Sequence, residues 1–331
     1  MNKPPFQSGY TVSDRNLALE LVRVTEAAAL KSFHWVGLGK KNEADAAAVQ
    51  GMRQAFDTVA ISGTVVIGEG EMDEAPMLYI GEKVGAGGPE MDIAVDPLEG
   101  TNLVAKNLPN AITVVALAEK GNFLHAPDIY MDKIAIGPGY PEGVIDIDNN
   151  VKTNLMNLAK AKKVDVSDLT LSILERERHE EIIAKAREAG AHVKLVSDGD
   201  VASIISTCLP KSNVDIVIGS GGAPEGVLAA AALRCFDGQM QGRLLFENKE
   251  QINRARKMNP LDPQRKLSLH DMANGNVLFS ATGVTNGDIL KGVRWKGNHV
   301  WTNSIVTRSV SKTIRFINAC HDPRNKPQTT I

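Results

Sequence analysis

One stretch of this sequence, residues 169–197, constrains the fold more than any other. LTLSIL (169–174) reads as a buried strand, HEEIIAKAREAG (179–190) as a helix that ends in glycine, and HVKLVS (192–197) as a second strand. A strand, a helix and a strand in this order form a β-α-β unit, whose two strands lie parallel in one sheet. The chain is therefore predicted to contain a parallel sheet with a helix packed against it.

The rest of the chain predicts further helices and strands, arranged in two lobes. Its 331 residues exceed what one hydrophobic core usually organises. Two opening helices are followed by strands predicted at 61–68, 91–95, 111–121, 133–137, 213–219, 276–283 and 301–310, and a helix is predicted at 225–236. Pro97 is expected to stop the second of these strands. The polar stretch 147–165 is the candidate boundary, which predicts an α+β lobe at 1–160 and an α/β lobe at 161–331.

Composition excludes two classes of function and suggests a compartment. The formal net charge is -2, so the basic surface of a nucleic-acid binder is not expected. The longest apolar stretches, such as 227–233, are much shorter than the roughly 20 residues of a membrane span. Cys208, Cys235 and Cys320 lie far apart and form no CxxC pair, which favours free thiols in a reducing compartment. A cytoplasmic protein is expected.

Acidic residues follow two of the predicted strands. Four of the six residues from 69 to 74 are carboxylates, and Asp96 and Glu99 lie in DPLEGT just after the next strand. A solvated loop and an acidic turn are the alternatives. However, carboxylates crowded at neighbouring strand ends repel one another unless cations neutralise them. Ligands that are all hard oxygens favour Mg²⁺ or Mn²⁺ over zinc.

Two further acids and a glycine-rich turn have weaker signals. Asp45 falls in the first turn of a helix, where it either binds metal or complements the helix dipole. GSGGAPEG (219–226) is a turn whose exposed amides suit a phosphate oxygen. Glu225, just after that turn, is either another metal ligand or a favourable first-turn acid.

Two pairs of charged residues suggest contacts to a substrate. Arg176 and Arg178 follow a strand, and arginine is well shaped to bind a phosphate group, although a charged helix start is the alternative. Asp198 and Asp200 follow another strand, where they suit sugar hydroxyls or form a simple turn.

Several long motifs carry a resemblance to a known family. The Asp-Pro-x-(Asp/Glu)-Gly-Thr signature at 96–101 resembles the lithium-sensitive phosphatase superfamily. VVIGEGEMDEAPMLYIGEKVG (65–85), SDGDVA (197–202) and IGSGGAPEGV (218–227) narrow the match to the class II fructose-1,6-bisphosphatases. The resemblance spans roughly residues 11 to 320. It implies a layered α-β-α-β-α sandwich, with two lobes around a metal-containing cleft.

The resemblance also implies a role for individual residues. Asp45 and Glu69 match ligands of one metal, and Asp96, Glu99 and Glu225 match ligands of a second. Asp73 matches an acid needed for activity, and either Asp45 or Asp73, with Thr101, is expected to orient and deprotonate the attacking water. Substrate contacts are implied for Glu99, Gly100, Thr101, Tyr130, Arg176, Arg178, Asp198, Gly199, Asp200 and Gly222. Glu177 departs from the family's usual Lys/Arg-Pro-Arg-His spelling between the two arginines.

The implied activity is hydrolysis of the 1-phosphate of a sugar bisphosphate. DPLEGTNL is most similar to the cyanobacterial branch, whose members act on both fructose-1,6- and sedoheptulose-1,7-bisphosphate, in gluconeogenesis and the Calvin cycle. Mg²⁺ or Mn²⁺ as cofactor and a homotetrameric state are implied as well. The alternatives are an inositol-monophosphatase-like enzyme and a catalytically silent sugar-phosphate-binding protein. The arginine pair argues against the former, because only a second phosphate needs its own cationic site.

Overall fold

The structure, a computed structural model, describes residues 12–70, 77–258, 262 and 264–325. In chain order the strands are β1 (Ser62–Ile67), β2 (Lys83–Val84), β3 (Glu90–Glu99), β4 (Ile112–Glu119), β5 (Tyr130–Ile136), β6 (Thr170–Leu174), β7 (His192–Val196), β8 (Ile216–Gly222), β9 (Gln239–Leu244), β10 (Leu267–Ser268), β11 (Val277–Gly283), β12 (Arg294–Lys296), β13 (His299–Arg308) and β14 (Thr313–His321). The helices are α1 (Val12–Phe33), α2 (Lys41–Phe56), α3 (Thr101–Ala105), α4 (Val151–Lys162), α5 (Glu180–Glu188), α6 (Val201–Ser206), α7 (Ala223–Phe236), α8 (Lys249–Met258) and α9 (Leu269–Met272). Short 3₁₀ turns occur at Val166–Asp168, Glu177–His179 and Pro323–Asn325.

Within the described residues the strands form two mixed sheets. The larger has the order β12-β13-β11-β4-β3-β1-β2, with β14 paired to β13, and the smaller has the order β10-β9-β5-β8-β6-β7. β6 and β7 are parallel, from Thr170 opposite His192 to Leu174 opposite Val196. The predicted β-α-β unit is therefore confirmed.

Three hydrophobic cores hold five layers together, and the central core covers both faces of the middle layer. Leu21 and Met52, from α1 and α2, pack on one face of the large sheet. The apolar helix α7 is buried between the two sheets, whose facing residues include Val114 and Met131. Leu155 of α4 packs with β5 and β6 on the outer face of the small sheet. The order helix, sheet, helix, sheet, helix confirms the predicted layered sandwich.

The sheets do not divide the chain where the predicted lobe boundary lies. β5 comes from the first half of the chain but belongs to the small sheet, whereas β11–β14 come from the second half and complete the large sheet. The polar stretch 147–165 contains helix α4, whose buried residues include Val151, Leu155 and Leu158 at helical spacing. Polar residues between those positions, such as Lys152 and Asn157, concealed the helix in the sequence. The division at residue 160 is therefore not the division between the sheets.

Pro97 does not stop the second predicted strand. β3 continues to Glu99, and its register against β4 shifts between the pair Asp96 and Val114 and the pair Glu99 and Ile112. The extra residue forms a bulge, where a proline, which lacks an N–H, is tolerated within a sheet. This bulge shapes the cleft described below. No helix in the described ranges is both long and apolar enough to cross a bilayer.

Candidate active site

The predicted site residues in the described part of the chain all line one cleft of about 420 Å³. They are Asp45, Glu69, Asp96, Glu99, Gly100, Thr101, Tyr130, Arg176, Arg178, Asp198, Gly199, Asp200, Gly222 and Glu225. Asp73 lies outside the described residues, so its predicted role is untested. Residues that the sequence placed far apart are thus brought together between the two sheets.

The bulge in β3 turns Asp96 and Glu99 to the same side. Residues three apart on a regular strand point to opposite faces. Here Asp96 pairs with Val114 and Glu99 pairs with Ile112, two positions on one face of β4. Because cross-strand partners share a face, both carboxylates project toward the small sheet. One inserted residue therefore converts an ordinary strand end into a two-carboxylate site.

Burial and mutual repulsion raise the pKa of the clustered carboxyls. Burial, followed by the charges of Asp45 and Glu225, raises the pKa of Glu69 to about 8. Burial, followed by Asp200, raises the pKa of Glu99 to about 8. The pKa of Asp96 is raised well above its ordinary value by burial and then by the neighbouring carboxylates, Glu99 first. Because buried carboxylates in one cleft repel one another when ionised, added positive charge there would relieve the repulsion.

The carboxylate oxygens fit a hard divalent cation. Among the described residues, the buried Oε2 atoms of Glu99 and Glu225 and the Oδ1 atom of Asp200 have no hydrogen-bond partner. The other oxygen of Glu99 accepts a hydrogen bond of 2.7 Å from the backbone N–H of Val201. In the described ranges no group of three or more His, Cys, Asp or Glu side chains is arranged so that it could hold a metal ion. The fit therefore rests on the donor chemistry and on the unpartnered oxygens, which suit Mg²⁺ or Mn²⁺.

Glycines allow the backbone to approach these acids closely. A Cβ atom at Gly222 would lie 1.9 Å from Oε2 of Glu225, and one at Gly221 would lie 2.3 Å from Oδ2 of Asp200. Gly222 is also the N-cap of α7. The predicted turn at 219–226 is not formed, because Gly219 to Gly222 complete β8, which pairs with β5, and α7 begins directly at Ala223. The end of this strand and the first turn of α7 still line the cleft.

Arg178 makes three contacts at the cleft, one with Tyr130 and two with Ser220. Its guanidinium lies over the ring of Tyr130, 4.7 Å from the centroid. Its Nε donates to Oγ of Ser220 at 3.0 Å, and a terminal nitrogen donates to the Ser220 carbonyl at 2.9 Å. The exposed Tyr130 and Arg178 therefore form one preorganised cationic surface.

Arg176 is fixed differently, through the loop that follows β7. It donates to the Ser197 carbonyl at 2.8 Å and contacts Asp198 at 3.5 Å. The other oxygen of Asp198 accepts from Asn102 at 3.1 Å, next to Thr101. This network ties an arginine to α3, the short helix that follows β3, although Asn102 had no role in the sequence analysis.

Sequence reasoning missed Lys133, a buried cation beside the acids. Its Nζ lies 2.5 Å from Oδ2 of Asp200 and donates to the Gly222 carbonyl at 2.9 Å. Only 3% of Lys133 is exposed, although it lies in the apolar strand YMDKIAI. A lysine within such a strand was the available signal, because lysine is almost never fully buried unless it is paired.

The layered fold and a cleft that combines acids with arginines are those expected of a phosphoric monoester hydrolase, and comparison with known proteins places the chain in that class. The sequence profile of the bacterial fructose-1,6-bisphosphatases, glpX-encoded, matches residues 15–321. The chain is 48% identical over 322 residues to fructose-1,6-bisphosphatase 1 class 2 of Escherichia coli K12, covering 93% of this chain and 95% of that protein. The class 2 enzyme of Shigella flexneri matches to the same extent. The chain therefore belongs to the glpX-encoded bacterial fructose-1,6-bisphosphatase family.

Proposed function

We propose that this protein is a divalent-metal-dependent phosphatase that removes the 1-phosphate of fructose-1,6-bisphosphate and of sedoheptulose-1,7-bisphosphate. The observation that carries the proposal is a single cleft in which clustered carboxylates with raised pKa values accompany two arginines. Clustered acids suit the cations that a phosphoryl transfer needs, whereas the arginines suit a second, remote phosphate.

Two groups of carboxylates in the cleft would each hold one cation. Asp45 and Glu69 would hold one cation, and Asp96, Glu99 and Glu225 a second. When bound, Mg²⁺ or Mn²⁺ supplies positive charge that offsets the dianionic phosphate and favours deprotonation of the attacking water.

The remaining residues would handle the water and the substrate. The Thr101 hydroxyl would help orient the water, and the carboxylate of Asp45 or Asp73 would accept its proton. The backbone of Gly100, Thr101 and Gly222 would surround the reacting phosphate. Tyr130, Arg176 and Arg178 would bind the remote phosphate, and the loop formed by Asp198, Gly199 and Asp200 would accept hydrogen bonds from sugar hydroxyls.

A second cavity supports the longer substrate. It measures about 610 Å³ and shares Tyr130, Arg178 and Gly222 with the cleft. A ketose with one more hydroxymethylene therefore has room beyond the stacked Tyr130 and Arg178.

Phosphate release from purified protein tests the proposal. With Mg²⁺ or Mn²⁺ present, release is expected from both bisphosphates, little is expected from fructose 6-phosphate or inositol monophosphate, and none in excess EDTA. Preferential release from inositol monophosphate would support the inositol-monophosphatase alternative. Binding of the bisphosphates without release under any metal would support the silent binding protein.

Replacing one arginine tests the assignment of the remote phosphate. Charge-assisted contacts contribute about 1.5–3 kcal/mol, so Arg176→Met should reduce kcat/KM for the bisphosphate roughly ten- to a hundredfold, mainly through KM. Arg187→Met, at an exposed arginine of α5 outside the cleft, is the matched control. An equal loss of kcat/KM for a monophosphate substrate would assign Arg176 to the fold or to the reacting phosphate instead.

The proposal includes a cytoplasmic homotetramer, which the family resemblance implies. Light scattering coupled to size-exclusion chromatography should give four times the mass of one chain. A monomer or dimer at working concentration would contradict this part without affecting the catalytic assignment.

A further inference from the structure

Ser220 holds Arg178 through both its side chain and its backbone. Nε of Arg178 donates to Oγ, and a terminal nitrogen donates to the carbonyl oxygen of the same residue. Two donors on one guanidinium that bind one residue fix its plane and its rotation. The orientation of Arg178 toward the cleft therefore depends on the position of Ser220.

Ser220 is in turn held by His179, a buried residue with 1% exposure. The backbone N–H of Ser220 donates to Nε2 of His179 at 2.8 Å, and Oγ lies 3.1 Å from the same nitrogen. Nδ1 of His179 lies 2.7 Å from the carbonyl oxygen of Leu174. A carbonyl only accepts hydrogen bonds, so Nδ1 carries the proton and Nε2 is the acceptor.

We propose that His179 is a positioning residue for the substrate: its neutral Nδ1–H form fixes Ser220, which holds the Arg178 guanidinium in the orientation that binds the remote phosphate. A doubly protonated ring would place an N–H against the N–H of Ser220, two donors without an acceptor between them. The contact to Ser220 therefore requires the neutral ring. The last step, from Arg178 to the phosphate, rests on the proposed function.

The surroundings of the ring favour its neutral form. Burial lowers the pKa of His179, and the positive charges of Arg178 and Arg176 lower it further. The hydrogen bond to Leu174 and the carboxylate of Asp132, on β5, act in the opposite direction. Because the net pKa lies below the ordinary value, the ring is neutral at neutral pH and takes up a proton only under more acidic conditions.

Two substitutions of His179 separate positioning from a general structural role. His179→Leu removes the acceptor and should raise KM for fructose-1,6-bisphosphate about three- to tenfold at pH 8, with kcat nearly unchanged. His179→Gln offers a side-chain oxygen near the position of Nε2 and should recover most of that loss. His192→Gln, at an exposed histidine at the start of β7, is the matched control.

The pH profile and a double-mutant cycle give two further readouts. In the wild type KM should rise as the pH falls below about 6.5, whereas in His179→Gln, which cannot take up this proton, it should stay flatter. In an Arg178→Met background, His179→Leu should have no further effect on KM. A His179→Leu effect that falls on kcat, or that persists fully in the Arg178→Met background, would overturn the proposal.

A measurement on the resting protein separates this inference from the proposed function. Long-range ¹H–¹⁵N spectra of histidine-labelled protein should show the Nδ1–H tautomer for the signal that disappears in His179→Leu. An Nε2–H tautomer would overturn the inference whatever the enzyme hydrolyses. Absence of phosphate release in the wild type, with the Nδ1–H tautomer present, would instead refute the proposed function alone.

Discussion

Replacing Glu69 by glutamine should stabilise the metal-free protein while it weakens metal binding. Burial and nearby carboxylates raise the pKa of Glu69 from 4.5 to about 8 in the folded state. Since the folded pKa is raised, the group's contribution to stability is complete below pH 4.5 and is lost progressively as the pH rises to 8. Glutamine stays neutral throughout, so it avoids this loss.

The size of the effect follows from the shift. At pH 7 the loss extends over about 2.5 pH units, and at about 1.4 kcal/mol per unit it reaches roughly 3 kcal/mol. The neighbouring acids titrate together and share the penalty, so a gain of about 1–3 kcal/mol is expected for Glu69→Gln. An unfolding entropy of about 2.1 cal/mol/K per residue converts this into a rise in Tm of roughly 1.5–4 °C.

Thermal unfolding in EDTA, measured from pH 5 to 8, tests the reasoning. The Tm of the variant should rise relative to that of the wild type as the pH rises. Saturating Mg²⁺ or Mn²⁺ should make the wild type the more stable protein, because a ligand that binds only the folded state stabilises the protein that binds it more tightly. Glu142→Gln, at an exposed residue outside the cleft, should leave Tm unchanged at every pH. A variant less stable than the wild type in EDTA at pH 7–8, or a difference independent of pH, would refute the argument.

Three other substitutions test separate parts of the cleft. Asp96→Asn should lower kcat at least a hundredfold with an unchanged circular dichroism spectrum; a mild loss in phosphate release would exclude Asp96 as a metal ligand. Lys133→Met should destabilise the protein by roughly 3–5 kcal/mol in urea unfolding, because it leaves Asp200 buried without its partner; Asp200→Asn in the same chain should recover part of the loss. Gly222→Ala should abolish phosphate release, since the new Cβ would lie 1.9 Å from Oε2 of Glu225, and wild-type activity would contradict the close approach.

The features that the sequence predicted well depend on residue type and local spacing. Strands, helices and the parallel unit follow from apolar periodicity. The acids of DPLEGT indicate a functional site, because acids at the end of an apolar strand lack a structural reason. Asp45 had two equal interpretations, a metal ligand or a first-turn acid, but α2 begins at Lys41 and its first-turn acid is Glu43, so the first-turn placement of Asp45 was wrong. Its place in the cleft is decided by how α2 packs on the large sheet, a long-range contact that no local pattern records.

The bulge shows where local rules gave the wrong answer. Proline predicted the end of the strand, yet β3 incorporates Pro97 and continues to Glu99. The rule holds for a regular ladder, in which every N–H is needed, and a bulge removes that need. The exception lies at the site itself, where the inserted residue brings Asp96 and Glu99 to one face.

The roles of Lys133 and His179 follow from their partners in the structure rather than from their residue types. In the sequence one is a lysine in an apolar strand and the other ends a charged run, ILERERH. In the structure each is buried and holds a residue that faces the cleft: Lys133 holds Asp200, and His179 holds Arg178 through Ser220. A buried polar group that keeps its partners stabilises one arrangement of them and penalises the others, because any displacement leaves a group unpaired. The acids and arginines of this cleft therefore depend for their geometry on residues behind them, which become visible only when the two sheets are assembled.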